Sequence, residues 1–399
     1  MSETQKHTKP NVPNLRFPGF EGEWKCNKLS SYLYENKERN RAGEFNKSDV
    51  LSVSGDCGIV NQIEHLGRSF AGKSVLDYHV VRSGDIVYTK SPLKEYTYGI
   101  VKYNSGNDGI VSTLYAVYHH RDNADGRFVE QYFSNPQRTN RYFKPIVRIG
   151  AKHDMKIGNE EVIDNLVFFP LLAEQQRIAE FLSLIDQKIS IQNKIIEDLK
   201  KLKAAIEERC FNQSKGDPVR LVDILTERNE KSVRNNQYEV LSSTVSGIYS
   251  QRDYFNKDIA SADNTGYKVI RRGDIVLSPQ NLWMGNINYN DKFDIGIVSP
   301  SYKVFSIKHM FDSRFVASLL KSKKALWEYS LVSEQGASIV RRNLSIDGFM
   351  EIAFLIPNKE EQKTIGDTIA AVNHRIELEN SILNGINRQK LYLLNQLFI

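Results

Sequence analysis

The sequence predicts an α+β protein in which two pseudo-symmetric globular parts of mixed α and β structure are separated by a long antiparallel two-helix coiled coil. Three observations predict it. The first is a heptad stripe: Ile178, Leu182, Ile185, Ile189 and Ile196 return 187 positions later as Ile365, Ile369, Val372, Ile376 and Leu383. Spacings of four and three alternate without a slip through Cys210 and Leu397, and even the polar interruptions are shared, Gln192 with Glu379 and Lys203 with Lys390. The second is an echo outside the helices, at offsets of 186 to 189 residues. "VRSGDIVYTKSP" (from Val81) answers "IRRGDIVLSPQN" (from Ile270), "GIVSTLYAVY" (Gly109) answers "GIVSPSYKVF" (Gly296), "RFVEQYF" (Arg127) answers "RFVASLL" (Arg314), and "IGAKHDMK" (Ile149) answers "QGASIVRR" (Gln335). The third is local: a Gly turn before Asp85-Ile86-Val87-Tyr88 and before Asp274-Ile275-Val276-Leu277 marks alternating strands, whereas the two "RFV" runs suit short helices.

The elements follow in order. Residues 1–169 form the first globular part, 170–213 the first long helix, 214–356 the second globular part and 357–399 the second long helix. Pro170 and Pro357 stand where helices begin, and Asn358 with Glu361 has the spacing of a capping box. The first helix should stop at "SKGDP", with Gly216 as a left-handed cap and Pro218 unable to continue.

About 40 residues of helix extend roughly 60 Å at ~1.5 Å per residue. A parallel pair would need the chain to travel that length back, yet the intervening segment reads as compact, so antiparallel pairing is favoured. A pseudo-two-fold axis then relates the copies, the arrangement that suits a two-part DNA site, and helix length fixes the distance between readers. The competing reading has each helix packing on its own globular part. Lys203 and Lys390 at seam positions either support the antiparallel register or snorkel out of the seam.

Composition narrows the classes. The chain of 399 residues is 40% hydrophobic and 26% charged, as in globular proteins of two or three domains. It has no run of 18 apolar residues and no signal-like apolar core at its start, so the cytoplasm is expected. Cys26, Cys57 and Cys210 have neither CxxC spacing nor a His partner, and read as free thiols. The net charge is +6, and the helical segments 171–213 and 358–399 are each charge-balanced. The excess, 42 basic against 36 acidic residues, therefore lies in the globular parts and is compatible with an anionic partner. No Walker loop and no adjacent prolines of a methyltransferase motif occur. Glu361-Gln362-Lys363 has the ExK spacing of some nucleases, but its counterpart Glu174-Gln175-Gln176 lacks the lysine, and capping at a helix start explains the carboxylates better. The histidines form no spaced cluster, so no catalytic residue and no metal site is expected.

With the opening "VPNLRFPGFEGEW" (Val12 to Trp24), the helix starts "PLLAEQQRIAEFL" and "PNKEEQKTIGDTI", the paired "GDIV" strands and their ordered recurrence, nearly the whole chain resembles the specificity (S) subunit of a Type I restriction-modification system. The resemblance implies two target-recognition domains, each reading half of an interrupted double-stranded DNA sequence, with the coiled coil setting the gap. It implies docking of methyltransferase (M) subunits, two of them, on the helical regions, and of restriction/motor (R) subunits on that complex. The chain itself would be non-catalytic and without cofactors. S-adenosylmethionine, ATP and Mg would belong to the partners, which together act as an adenine-N6 methyltransferase and ATP-dependent endonuclease. One departure concerns docking: the second copy has Lys363, Thr364 and Thr368 where the first has Gln176, Arg177 and Phe181, so the two docking surfaces need not be equally strong.

Base readout needs Arg or Lys for guanine and Asn or Gln for adenine, on loops held by a rigid sheet. The loops after the GDIV strands offer Lys90, Ser91 and Lys94 in the first copy and Ser278, Gln280 and Asn281 in the second. Flanking the shared Gly-Ala are Arg148 and Lys152, and Ser338, Arg341 and Arg342. Scaffolds agree while loops differ, as two halves reading different bases require. Exposed basic residues are ordinary on any surface, and phosphate contacts outnumber base contacts. Tyr96, Tyr98 and Trp283 either stack on nucleic acid or pack in the core. The alternative function is a coiled-coil structural adaptor that reads no bases. A third, a self-sufficient nuclease or methyltransferase, would need the isolated chain to be active.

Overall fold

In the computed structural model the described residues are 11–72, 74–93, 95–150, 155–212, 216–255, 263–335 and 342–399. The chain divides into two compact units, Met1–Gln192 with Ile382–Ile399, and Asn193–Ser381. Each unit therefore takes in part of both long helices, Leu172–Asn212 and Lys359–Gln396.

The first unit is built on a four-stranded antiparallel sheet in the order Leu33–Glu35, Tyr115–His120, Ile86–Thr89, Val101–Tyr103. In the second the order is Leu225–Arg228, Lys303–Ile307, Asp274–Leu277, Ile287–Tyr289, the same arrangement strand for strand. The GDIV strands are central and buried throughout, so they read as continuous apolar runs rather than as the alternating runs expected. Successive side chains still point to opposite faces. Ile86 and Tyr88 join the larger core beneath helices Gly126–Phe133 and Pro136–Phe143, while Val87 joins a smaller one with Leu51, Val81, Val111 and Val117. Ile275 and Leu277 against Val276 repeat that partition in the second unit.

The turn before each strand explains its "GD". Gly84 and Gly273 adopt φ of +97° and +93°, a region that side chains resist. The aspartate that follows accepts from the backbone N–H at the turn's start, Arg82 to Asp85 at 2.8 Å and Arg271 to Asp274 at 2.7 Å.

The "EQ" at each helix start also has a structural reason. Gln175, fully buried, accepts from the Asp125 N–H at 3.0 Å and donates to the Pro170 carbonyl at 3.0 Å. Gln362 does the same for Asp312 at 2.9 Å and Pro357 at 2.8 Å. Asp125 and Asp312 cap the "RFV" helices, so one glutamine ties the long helix to a short one in each unit. Glu174 does not act as a cap: it is buried and takes a bidentate pair from Arg16 at 2.8 and 2.7 Å, with the Trp24 indole N–H at 3.4 Å. Asn358 does cap, accepting from the Glu360 and Glu361 N–H groups.

Every heptad position from Ile178 to Cys210 and from Ile365 to Leu397 is buried or half-buried. In the first unit Ile178, Ala179 and Leu182 share a core with Leu393, Leu394, Leu397 and Phe398. In the second, Ile206, Cys210 and Phe211 share one with Ile365 and Ile369. The start of one helix meets the end of the other in both units, so the pair is antiparallel. Each helix also packs on the globular part it follows, and the two readings weighed from the sequence are both present. Cations hold the helix ends: Arg138 donates to the Leu394 carbonyl at 2.7 Å and Lys324 to the Phe211 carbonyl at 3.1 Å. Lys390 pairs with Asp186 across the seam, whereas Lys203 turns to Glu207 on its own helix at 3.4 Å.

The left-handed cap expected at Gly216 is absent. Gly216 lies so close to the Ile356 carbonyl and the Pro357 nitrogen that a Cβ would collide, and the chain goes on as strand Asp217–Arg220 paired with Ala353–Ile356. Close backbone approach, not a positive φ, requires the glycine. Pro218 is tolerated because this ladder has only two strands.

Candidate nucleic-acid interface

In the first unit the loop after Ile86–Thr89 is pinned from within. Lys90 donates to the Ile157 carbonyl at 2.9 Å and to Asn159 Oδ1 at 2.6 Å, and burial lowers its pKa. Asn159 in turn donates to Glu35 at 2.7 Å, so Lys90 holds the segment after strand Met155–Lys156 onto the sheet. Tyr96 donates to the Ser134 carbonyl at 2.7 Å, with its pKa pushed up to about 12 by burial, and Tyr98 packs against the main core. Both rings serve the fold. Ser91 is exposed. Arg148 is exposed and stands directly across from Lys156 on a two-stranded ladder, which puts two cations side by side. Lys94 and Lys152 lie outside the described residues.

In the second unit the equivalent loop brings several candidates together. After Ser278 the chain turns into a short 3-10 helix, Leu282–Met284, anchored by the fully buried Leu282. Lys321 holds the far side, donating to the Gly285 carbonyl at 3.0 Å and to the Val245 carbonyl at 2.9 Å, with its pKa brought down to about 8 by burial. Gln280 is exposed, and its carbonyl accepts from the Arg342 N–H at 3.1 Å. The Arg342 guanidinium carbon lies 4.2 Å from the centroid of the Trp283 ring. Arg342 Nε and Asn281 Oδ1 are both shielded from solvent and without a hydrogen-bond partner among the described residues. Ser278 is half-buried, its N–H spent on the Asn286 carbonyl at 2.9 Å. Ser338 and Arg341 lie outside the described residues.

The structure thus joins Gln280, Asn281 and Arg342 around Trp283, and links Lys90 to the segment beside Arg148. Sequence reasoning missed Asn159, Lys156 and Lys321. Lys156 was within sight, inside the quoted "IGAKHDMK". Lys321 gives no signal, because a lysine ending an amphipathic helix normally faces solvent. Among the described residues, no three or more His, Cys, Asp or Glu side chains are grouped to hold a metal ion. None of the described helices is long and apolar enough to cross a membrane.

The fold is that of the S subunits of Type I restriction-modification systems. The crystal structure of the S subunit from M. genitalium matches with a TM-score of 0.59 at 15% identity, over 97% of this chain and 99% of that one. A chain from a study of complex assembly and conformational transition of the type I R-M system matches with a TM-score of 0.51 at 14% identity, over 97% and 99%. Residues 219–388, which lie in the second copy and most of its helix, are similar to the family model described as the Type I restriction modification DNA specificity domain. A comparison with curated proteins returns no match. The likeness read from the sequence to the specificity subunit of a Type I system stands on these two findings.

Proposed function

We propose that the chain is the DNA sequence-specificity subunit of a Type I restriction-modification complex and reads a bipartite double-stranded site, one half with each unit. One observation carries this reading: two units of identical strand order present loops of different chemistry. The first sets Arg148 beside Lys156, and the second sets Gln280, Asn281 and Arg342 around Trp283. The specificity-domain match over residues 219–388 supports it.

The chain contributes recognition without chemistry, and its place of action is the cytoplasm. S-adenosylmethionine, ATP and Mg are used by the methyltransferase and restriction subunits. A methyltransferase subunit docked beside each unit flips an adenine out of its half-site. The long helices supply the docking surface. Besides the seam, the first carries exposed Leu184, Ile191 and Leu202 at heptad-related spacing, and the second carries exposed Leu378 and Ile382. Apolar residues in such a row cover themselves with a partner.

Sequencing methylated adenines in cells that express the chain with its partners tests the reading. A split motif with modified adenines on opposite strands is the expected result. A continuous motif overturns it.

A further inference from the structure

We propose that Arg342 reads a guanine in the half-site of the second unit, with its guanidinium held over Trp283. This rests on the DNA-recognition reading above and names one residue and one base within it. Three features set Arg342 apart. Its root is fixed, because its backbone N–H is bonded to the Gln280 carbonyl at 3.1 Å, joining the strand Arg342–Leu344 to the loop after the GDIV strand. Its head is held, because the guanidinium carbon sits over the indole, 4.2 Å from the ring centroid. Its charge is unspent: no carboxylate pairs with it among the described residues, whereas Arg220, Arg228, Arg271, Arg272 and Arg314 of the same unit each meet one.

The platform under this pair is stiff. Leu282, next to the tryptophan, is fully buried, and Lys321 ties the loop's end to the body of the unit. A stacked, uncompensated guanidinium on a rigid loop has lost its conformational freedom before any ligand arrives. A phosphate also accepts a guanidinium fork bidentately, so the salt dependence of binding separates the two contacts. The N7 and O6 of guanine lie in one plane and match the fork bidentately. A neighbour agrees with a base edge. Gln280 is an exposed amide, the side-chain type that pairs with base edges.

The test uses the full chain in complex with its methyltransferase subunits. Methylated motifs are sequenced for wild type, Arg342→Ala and Arg342→Lys, and binding is measured on a duplex in which single guanines of the wild-type motif are replaced by 7-deazaguanine. The expected result is relaxation at one G·C position of one half-site in both variants, with the other half-site unchanged. One 7-deazaguanine should weaken wild-type binding by about tenfold or more, and should not weaken Arg342→Ala further. A motif unaltered by Arg342→Ala overturns the assignment. So does a uniform loss of affinity across sequences with a shallower salt dependence, the mark of a phosphate contact. If Arg342→Ala fails to assemble, the 7-deazaguanine series on wild type decides alone, and indifference at every guanine of both half-sites overturns the proposal. A wild type without any split motif sinks the DNA-recognition reading instead, so the two failures are distinguishable.

Discussion

Phe398 packs against Phe128 with ring centroids 5.3 Å apart, and 187 positions earlier Phe211 packs against Phe315 at 5.8 Å. The two contacts are equivalent under the duplication, and each is made by the helix of one copy with the "RFV" helix of the other. Each core is therefore completed by a residue from the other half of the sequence.

Removing either ring should loosen one unit and spare the other. Phe398 is 3% exposed, and truncating a buried phenylalanine costs about 3–5 kcal/mol. In peptide-resolved hydrogen exchange on the full chain, Phe398→Ala should raise exchange around Trp24, Phe128 and Tyr132. Phe211→Ala should raise it around Leu277, Phe305 and Phe315 instead. Equal loosening of both units by either change would contradict reciprocal completion.

The seam is held unequally. Lys390 meets Asp186, but the residue equivalent to Asp186 in the second copy is Asn373, and Lys203 turns to Glu207. A double-mutant cycle on Lys390 and Asp186 should give a coupling of about 0.5–1 kcal/mol, as for part-exposed pairs. A cycle on Lys203 and Asn373 should give none, and Asn373→Asp should create it. Equal couplings in the two native pairs would mean that the ion pair adds nothing to the register.

His79 is 1% exposed, with Nδ1 lacking a partner among the described residues. Burial first, then the cations Arg39 and Lys90, bring its pKa down from 6.5 to about 4. The folded chain thus resists a proton that the unfolded chain accepts. The stability held by the neutral ring is complete above pH 6.5 and is lost progressively as pH falls towards 4. Between pH 7.5 and 5 the wild-type melting temperature should fall by about 3 °C more than that of His79→Leu. Parallel melting curves would show that the ring is not kept neutral.

Under the proposed function, helix length sets the unread spacer. Seven residues inserted after Gln192 and seven after Glu379 keep both seams in phase. The methylated motif should keep both half-sites and lengthen its gap. Exchanging residues 1–150 for those of another such protein should alter one half-site only. A change in both halves would show that the units do not read independently.

The fold class was legible because duplication is visible without any structure. A heptad stripe repeated at a constant offset, with its polar interruptions, fixes two helices and their pairing, and antiparallel order followed from the compactness of the intervening segment. The ends were harder to read. Phe211 and Phe398 fall one residue beyond the last seam positions, so periodicity gives no sign that they enter another copy's core. Gly216 looked like a cap because glycine serves two needs, positive φ and close backbone approach, and a sequence does not say which. The loops were least legible. Lys90 and Arg342 read alike as basic residues on variable loops, yet one faces inward to Ile157 and Asn159 while the other lies over Trp283. Only the direction of the side chain tells them apart.

The copies differ most tellingly at Arg177 and Phe181. Both grip Phe17, by a cation–π contact at 5.4 Å and an edge contact at 5.5 Å, in a strap whose Leu15 N–H bonds to the Gln396 carbonyl at 2.9 Å. The second copy is preceded by a helix instead of a strap, and at the matching places Thr364 and Thr368 turn their hydroxyls back on the carbonyls one helical turn earlier. Duplicated halves threaded on one string cannot stay identical where the string arrives differently. Whatever binds to both halves must then tolerate a covered face on one and a bare face on the other.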